Sequence, residues 1–152
     1  MKRFGLFRLG AMSYALDVEN IARILQDART YPWPRLPETV CAILVADNQL
    51  IPMLDLQRLF QQGGRGEQQS GYQVLIKGAS GSFALPADLN ARIVTADKGV
   101  LRDPGDEEEA WCGGYFDYQE TRYAILDIHF IEIDMTQRIW RNQPDSGARR
   151  TQ

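Results

Sequence analysis

A short pattern occurs twice in the chain and limits its fold more than any other feature. Ile51-Pro52-Met53-Leu54-Asp55-Leu56-Gln57-Arg58-Leu59-Phe60 is echoed by Tyr123-Ala124-Ile125-Leu126-Asp127-Ile128-His129-Phe130-Ile131. Each copy has an apolar strand, then Leu-Asp followed by Leu or Ile, then an apolar residue three positions on. A carboxylate placed there accepts backbone N–H groups that the first turn of a helix leaves without partners. The motif therefore reads as a strand entering a capped helical turn. The two aspartates are 127 − 55 = 72 positions apart in a chain of 152 residues. A repeat at nearly half the length predicts two similar β subdomains.

The flanking segments agree with a β-rich chain. Phe7-Arg8-Leu9 and Tyr14-Ala15-Leu16-Asp17-Val18 alternate, and Gly10 to Ser13 between them suits a hairpin turn. Val40 to Val45 is an apolar run of strand length, and Leu50 to Leu54 is its return strand, with Pro52 requiring interrupted or edge-like pairing. Asp47-Asn48 between them is a turn signal, because both residue types tolerate unusual backbone angles. Tyr72 to Ile76, Ser82 to Leu85 and Ala91 to Ala96 read as further strands, and Tyr115 to Tyr118 with Tyr123 to Leu126 reads as another hairpin. Periodicity alone predicts a helix over Glu19 to Arg29, since Ile21, Ile24, Leu25 and Ala28 recur at helical spacing. Trp33 lies among Pro32, Pro34 and Pro37, as an aromatic plug in an extended linker would. Gln61 to Gly71 has no apolar residue and four glycines, which marks an internal boundary. The segment from Asn142 to the end reads as a frayed tail.

Composition narrows the chemistry. The chain has 44% hydrophobic and 24% charged residues and a net charge of -3, ordinary values for a globular protein with no global field for nucleic acid. No 18-residue apolar run exists, so no membrane insertion is expected, and the expected compartment is the cytoplasm. His129 is the only histidine, and Cys41 and Cys112 are the only cysteines. A metal site built from these side chains needs three or four ligands at close spacing, so no metal and no cofactor are expected. Cys112 follows an acidic loop, Asp103 to Glu109, which opposes thiolate formation. Gly78-Ala79-Ser80-Gly81-Ser82 lies between strands, where it suits a hairpin turn rather than a phosphate loop. Asp55 and Asp127 remain a possible carboxylate pair, and capping explains both more simply. No catalytic residues are assigned, and no enzyme activity is expected.

The order of these segments resembles the CheW-like coupling proteins of bacterial chemotaxis-type signalling. Phe7-x-Leu9-Gly10, Tyr14-Ala15-Leu16-Asp17-Val18, Ile21 and Ile24 are similar to the family's opening, and Pro37 with Ala42 to Leu56 to its central segment. Val74-Leu75-Ile76, Ala87-Asp88, Gly114 and Ile125-Leu126-Asp127 carry the likeness through the second half. The resemblance implies a mainly β fold with short helices, in which two SH3-like five-stranded barrels share a core. It implies one domain over 1–140, in approximate halves 1–65 and 71–140, followed by a flexible tail over 141–152. It also implies that Glu19 to Arg29 is extended or only briefly helical, against the periodicity.

The function implied is that of a non-catalytic adaptor. Its partners are the signalling tip of a methyl-accepting chemoreceptor and the regulatory domain of a CheA-type histidine kinase. Ile21, Arg23, Val74 and Leu75 match the receptor-contact surface, and Asp47 and Asn48 fall in the family's central turn. Departures mark a divergent member. Asp47 stands where the family carries an arginine, Arg23 where it often carries a glutamate, Ala42 where it has a glycine, and Pro86 interrupts a regular strand. A small β barrel binding a ligand or nucleic acid is the alternative, and a basic groove lined by Tyr72, Tyr115 or Tyr118 would favour it.

Overall fold

A computed structural model describes residues 1–32, 40–59, 71–79, 81–88, 91–106 and 109–142. Its strands are β1 (Arg3–Leu9), β2 (Met12–Asp17), β3 (Ile21–Gln26), β4 (Thr30–Tyr31), β5 (Val40–Ala46), β6 (Gln49–Leu54), β7 (Tyr72–Lys77), β8 (Ser82–Ala87), β9 (Arg92–Thr95), β10 (Val100–Arg102), β11 (Cys112–Tyr118) and β12 (Thr121–Leu126). The helices are α1 (Leu56–Leu59) and α2 (Ile128–Asn142). The proline-rich segment around Trp33, the Gln61 to Gly71 boundary up to residue 70, and the tail from 143 lie outside the described residues.

The strands form two curled sheets of identical plan. One runs β10-β11-β12-β2-β1-β9 and the other, read in the corresponding direction, β4-β5-β6-β8-β7-β3. Each has five strands of four or more residues and one short strand at an edge, β10 or β4. In each, the strand before a helix pairs in parallel with the second strand of a hairpin: β12 with β2, and β6 with β8. The spacing that relates Asp55 to Asp127 also carries β5 onto β11 and β6 onto β12.

The strand plan therefore repeats, β1 to β6 and then β7 to β12, but the repeats are not the sheets. The opening hairpin of the first half, β1–β2, is built into the sheet of β9 to β12, and β7–β8 into the sheet of β3 to β6. Each half lends its hairpin to the other. The physical reason is burial. Phe7, Leu9, Met12, Tyr14 and Leu16 meet Val74, Ile76, Phe83, Leu85 and Ala87 in one core between the sheets, which neither half forms alone. The exchanged hairpins also bond to each other. Tyr14 Oη donates to the Pro86 carbonyl (2.8 Å), Asp88 N to the Arg8 carbonyl (2.6 Å), and Gly10 N to Asp88 Oδ2 (2.9 Å). Each barrel has its own smaller interior as well: Phe4, Leu6, Ala15, Val94 and Phe116 in the first, and Leu44, Ala46, Ile51, Met53, Leu75 and Ala84 in the second.

Three local expectations change. Glu19 to Arg29 is not a helix: a single 3-10 turn over Val18–Asn20, capped by Asp17, leads into β3. Pairing with β7 satisfies the backbone there, and tertiary context overrides a short apolar period. Pro86 does not interrupt β8, which runs through it opposite Gln73. Asp127 caps not one turn but the fifteen-residue α2, whose Ile128, Ile131 and Met135 close the shared core. Pro52 does leave its mark, because the ladder from β6 toward β8 is the single pair Met53↔Ala84.

Candidate functional site

Both repeated aspartates act as caps. Asp55 Oδ1 accepts from Arg58 N (3.3 Å) and Asp127 Oδ1 from Phe130 N (3.0 Å). Among the described residues no three His, Cys, Asp or Glu side chains cluster as metal ligands. Cys112 is buried and its Sγ donates to the Gly114 carbonyl (3.2 Å). Cys41 Sγ faces the Met53 and Leu54 carbonyls, and local burial, aided by the Asp55 charge, pushes its thiol up to about 11. Such a thiol is a poor nucleophile near neutrality. The tyrosines of the alternative reading do not share a groove. Tyr72 packs on the shared core and Tyr118 on the interior of the first barrel, while Tyr115 lies under the Arg122 guanidinium (5.3 Å).

Of the residues matched to a receptor surface, Val74 (0% exposed) and Leu75 (4%) belong to the core. They are on β7, a strand with barrel interior on one side and the shared core on the other, so neither side chain is presented to a partner. Ile21 is half-buried against the shared core. Arg23 is exposed, and the fold brings it to the other candidate group. Its Nη2 donates to Asp47 Oδ1 at 3.0 Å.

That contact closes the second barrel. Arg23 lies on β3, at one end of the sheet, and Asp47 in the turn between β5 and β6 near the other. Asp47 and Asn48 have φ of 52° and 60°. Positive φ at both central residues is the requirement of the hairpin turn whose twist matches the flanking strands. The first barrel repeats the device. Its β11–β12 turn has φ of 47° and 64° at Gln119 and Glu120, and Arg92 on β9 donates to Gln119 Oε1 at 3.1 Å. Arg23 and Asp47, which stand far apart in the sequence, are thus two ends of one ion pair.

The barrels differ beside these turns. In the second, the cross-strand partners Val45 and Leu50 are 44% and 61% exposed. In the first, the corresponding partners are Asp117 and Arg122. Asp117 accepts from Arg122 Nε (2.8 Å) and Nη2 (3.1 Å) and from Arg102 Nε (2.6 Å). The two guanidiniums, Arg122 foremost, hold its carboxyl at about 2, below the ordinary 3.8. Because the folded value is depressed, this contribution to stability is present above pH 3.8 and is lost as pH falls toward 2. Asp117→Asn is expected to lower the melting temperature at pH 7, with the gap to the parent protein narrowing below pH 4. A gap independent of pH would sink this account.

Residues 3–132 match the sequence model of the CheW-like domain. The chain belongs to the CheW-like domain family. This CheW-like protein is 26% identical to protein FrzA of Myxococcus xanthus over 145 residues, which is 90% of this chain and 88% of FrzA. Its fold is similar to the crystal structure of the scaffolding protein TtCheW from Thermoanaerobacter tengcongensis, with a TM-score of 0.72 at 20% identity, covering 86% of this chain and 91% of that one. The family supports an adaptor role in chemotaxis-type signalling and fits a protein without enzyme activity. Among the described residues, no helix is long and apolar enough to cross a membrane.

Sequence reasoning missed Val45 and Leu50 as exposed apolar groups beside the turn. Their signal was present only as position. Val45 and Leu50 flank the turn residues Asp47 and Asn48 on the outward side of their strands.

Proposed function

We propose that this CheW-like protein is an adaptor that couples the signalling tip of a chemoreceptor to the regulatory domain of a CheA-type histidine kinase. The observation that carries the reading is the exposed apolar cross-strand pair Val45 and Leu50 at the end of the second barrel, two residues either side of the Asp47–Asn48 turn that Arg23 reaches. Exposed apolar side chains with a charged rim are the usual make-up of a protein-binding face. Family membership supports this class of partner, and the work requires a surface rather than a reactive group. Leu50 is the more exposed of the two, so Leu50→Glu tests this face. Calorimetric titration with the regulatory domain of the kinase encoded in the same genome is expected to show affinity reduced at least ~10-fold, a typical hot-spot loss. The melting temperature is expected to stay close to that of the parent protein, since Leu50 is 61% exposed. Equal affinity of the parent and variant proteins would remove this face from the adaptor surface. Failure of the parent protein to bind either the kinase domain or a receptor tip would overturn the adaptor reading itself.

A further inference from the structure

The two barrels close with the same device but not the same charge. In the first, Arg92 reaches a neutral amide, Gln119 Oε1, at 3.1 Å. In the second, Arg23 reaches a carboxylate, Asp47 Oδ1, at 3.0 Å. Closing the barrel therefore needs an arginine and an acceptor, and a neutral acceptor serves. The negative charge at Asp47 is more than the seam requires. It also adds little stability, because water screens an exposed ion pair and these side chains are 48% and 69% exposed.

The surroundings give the charge a use. The uncharged seam of the first barrel sits beside a charged cross-strand pair, Asp117 and Arg122, while the charged seam of the second sits beside an apolar one, Val45 and Leu50. A partner that covers Val45 and Leu50 also draws the Arg23–Asp47 pair out of water. Burying such a pair carries a desolvation cost that complementary charges on the partner offset and like charges increase. We infer that the Arg23–Asp47 pair selects the partner of this face by its polarity: the partner surface has an apolar centre, an acidic side chain facing Arg23 and a basic side chain facing Asp47. This inference rests on the proposed docking role of the second barrel's end.

The double exchange Arg23→Asp with Asp47→Arg keeps an ion pair across the seam and inverts what the partner meets. The full-length protein carrying both changes is to be titrated against the kinase regulatory domain, beside the parent protein and Leu50→Glu. The expected result is an unchanged melting temperature, affinity reduced ~10-fold or more, and a weaker dependence of affinity on salt than in the parent protein. Normal affinity in the double exchange, with binding lost in Leu50→Glu, would overturn the inference and leave the docking face standing. Normal affinity in both would remove the face and the inference together. If the exchange lowers the melting temperature, the two single changes to Gln decide instead. They remove charge while leaving an amide acceptor or donor at the seam, as in the first barrel. Full affinity in both would likewise overturn the inference.

Discussion

Phe116→Ala is expected to lower the stability of the protein by about 3–5 kcal/mol, and to do so in both sheets at once. The ring is fully buried in the first barrel, 5.0 Å from the Phe4 ring and 6.1 Å from that of Tyr118 by centroid distance. Phe4 belongs to β1, the hairpin contributed by the first half of the chain. Loosening that hairpin also withdraws Phe7, Leu9 and Leu16 from the shared core, where they cover residues of the other sheet. A domain of this size has about 5–15 kcal/mol in all, so the loss is a large part of the total. Native-state hydrogen exchange measures it strand by strand. The slowest amides of β5 and β6, which Phe116 does not touch, are expected to lose as much protection as those of β11 and β12. Unchanged protection in β5 and β6 would mean that the barrels unfold separately, and that exchanging hairpins has not joined them energetically.

Gly78→Ala is the second substitution with a large effect, about 2 kcal/mol or more. Gly78 lies in the β7–β8 turn, where its N–H donates to the Gly81 carbonyl (2.9 Å) and the next N–H, of Ala79, to Glu132 Oε1 (2.9 Å). Glu132 is a buried residue of α2, 5% exposed, and lies against the bare Cα of Gly78. An added Cβ would collide with the Glu132 carboxylate and lie 2.6 Å from the Gly81 oxygen. The helix and the turn cannot both keep their places. Glu132→Ala alone removes the acceptor for Ala79 N and costs about 1–3 kcal/mol. Combining the two removes the collision with the carboxylate, so the double variant is expected to lose less than the sum of the singles. Urea unfolding of the four proteins closes the cycle. Additive losses would show that the carboxylate and the glycine do not meet.

Much of the fold was legible in local pattern. The segments read as strands became β1, β2, β5, β6, β7, β8, β9, β11 and β12, and Asp55 and Asp127 became helix caps, because apolar patterning and capping are properties of a few neighbouring residues. The segment that became β3 was misleading by period alone, since its backbone is satisfied by β7, some fifty residues away in the chain. Strand β10 was missed because its three residues, Val100, Leu101 and Arg102, are all exposed and show no alternation of burial. Helix α2 had a visible period at Ile128, Ile131 and Met135, yet only its first turn was expected.

The site was less legible. Val74 and Leu75 are apolar, as residues of a binding surface also are, and nothing local distinguishes a strand covered on both sides from one with an open face. Arg23 and Asp47 stood out one at a time, and their pairing is a product of barrel closure. Short-range periodicity and turn chemistry encode the repeated β segments and the two capped helices. The exchange of hairpins and the meeting of Arg23 with Asp47 near Val45 and Leu50 arise when distant segments fold together. Both depend on which apolar faces bury each other, a contest between distant segments that no local pattern records.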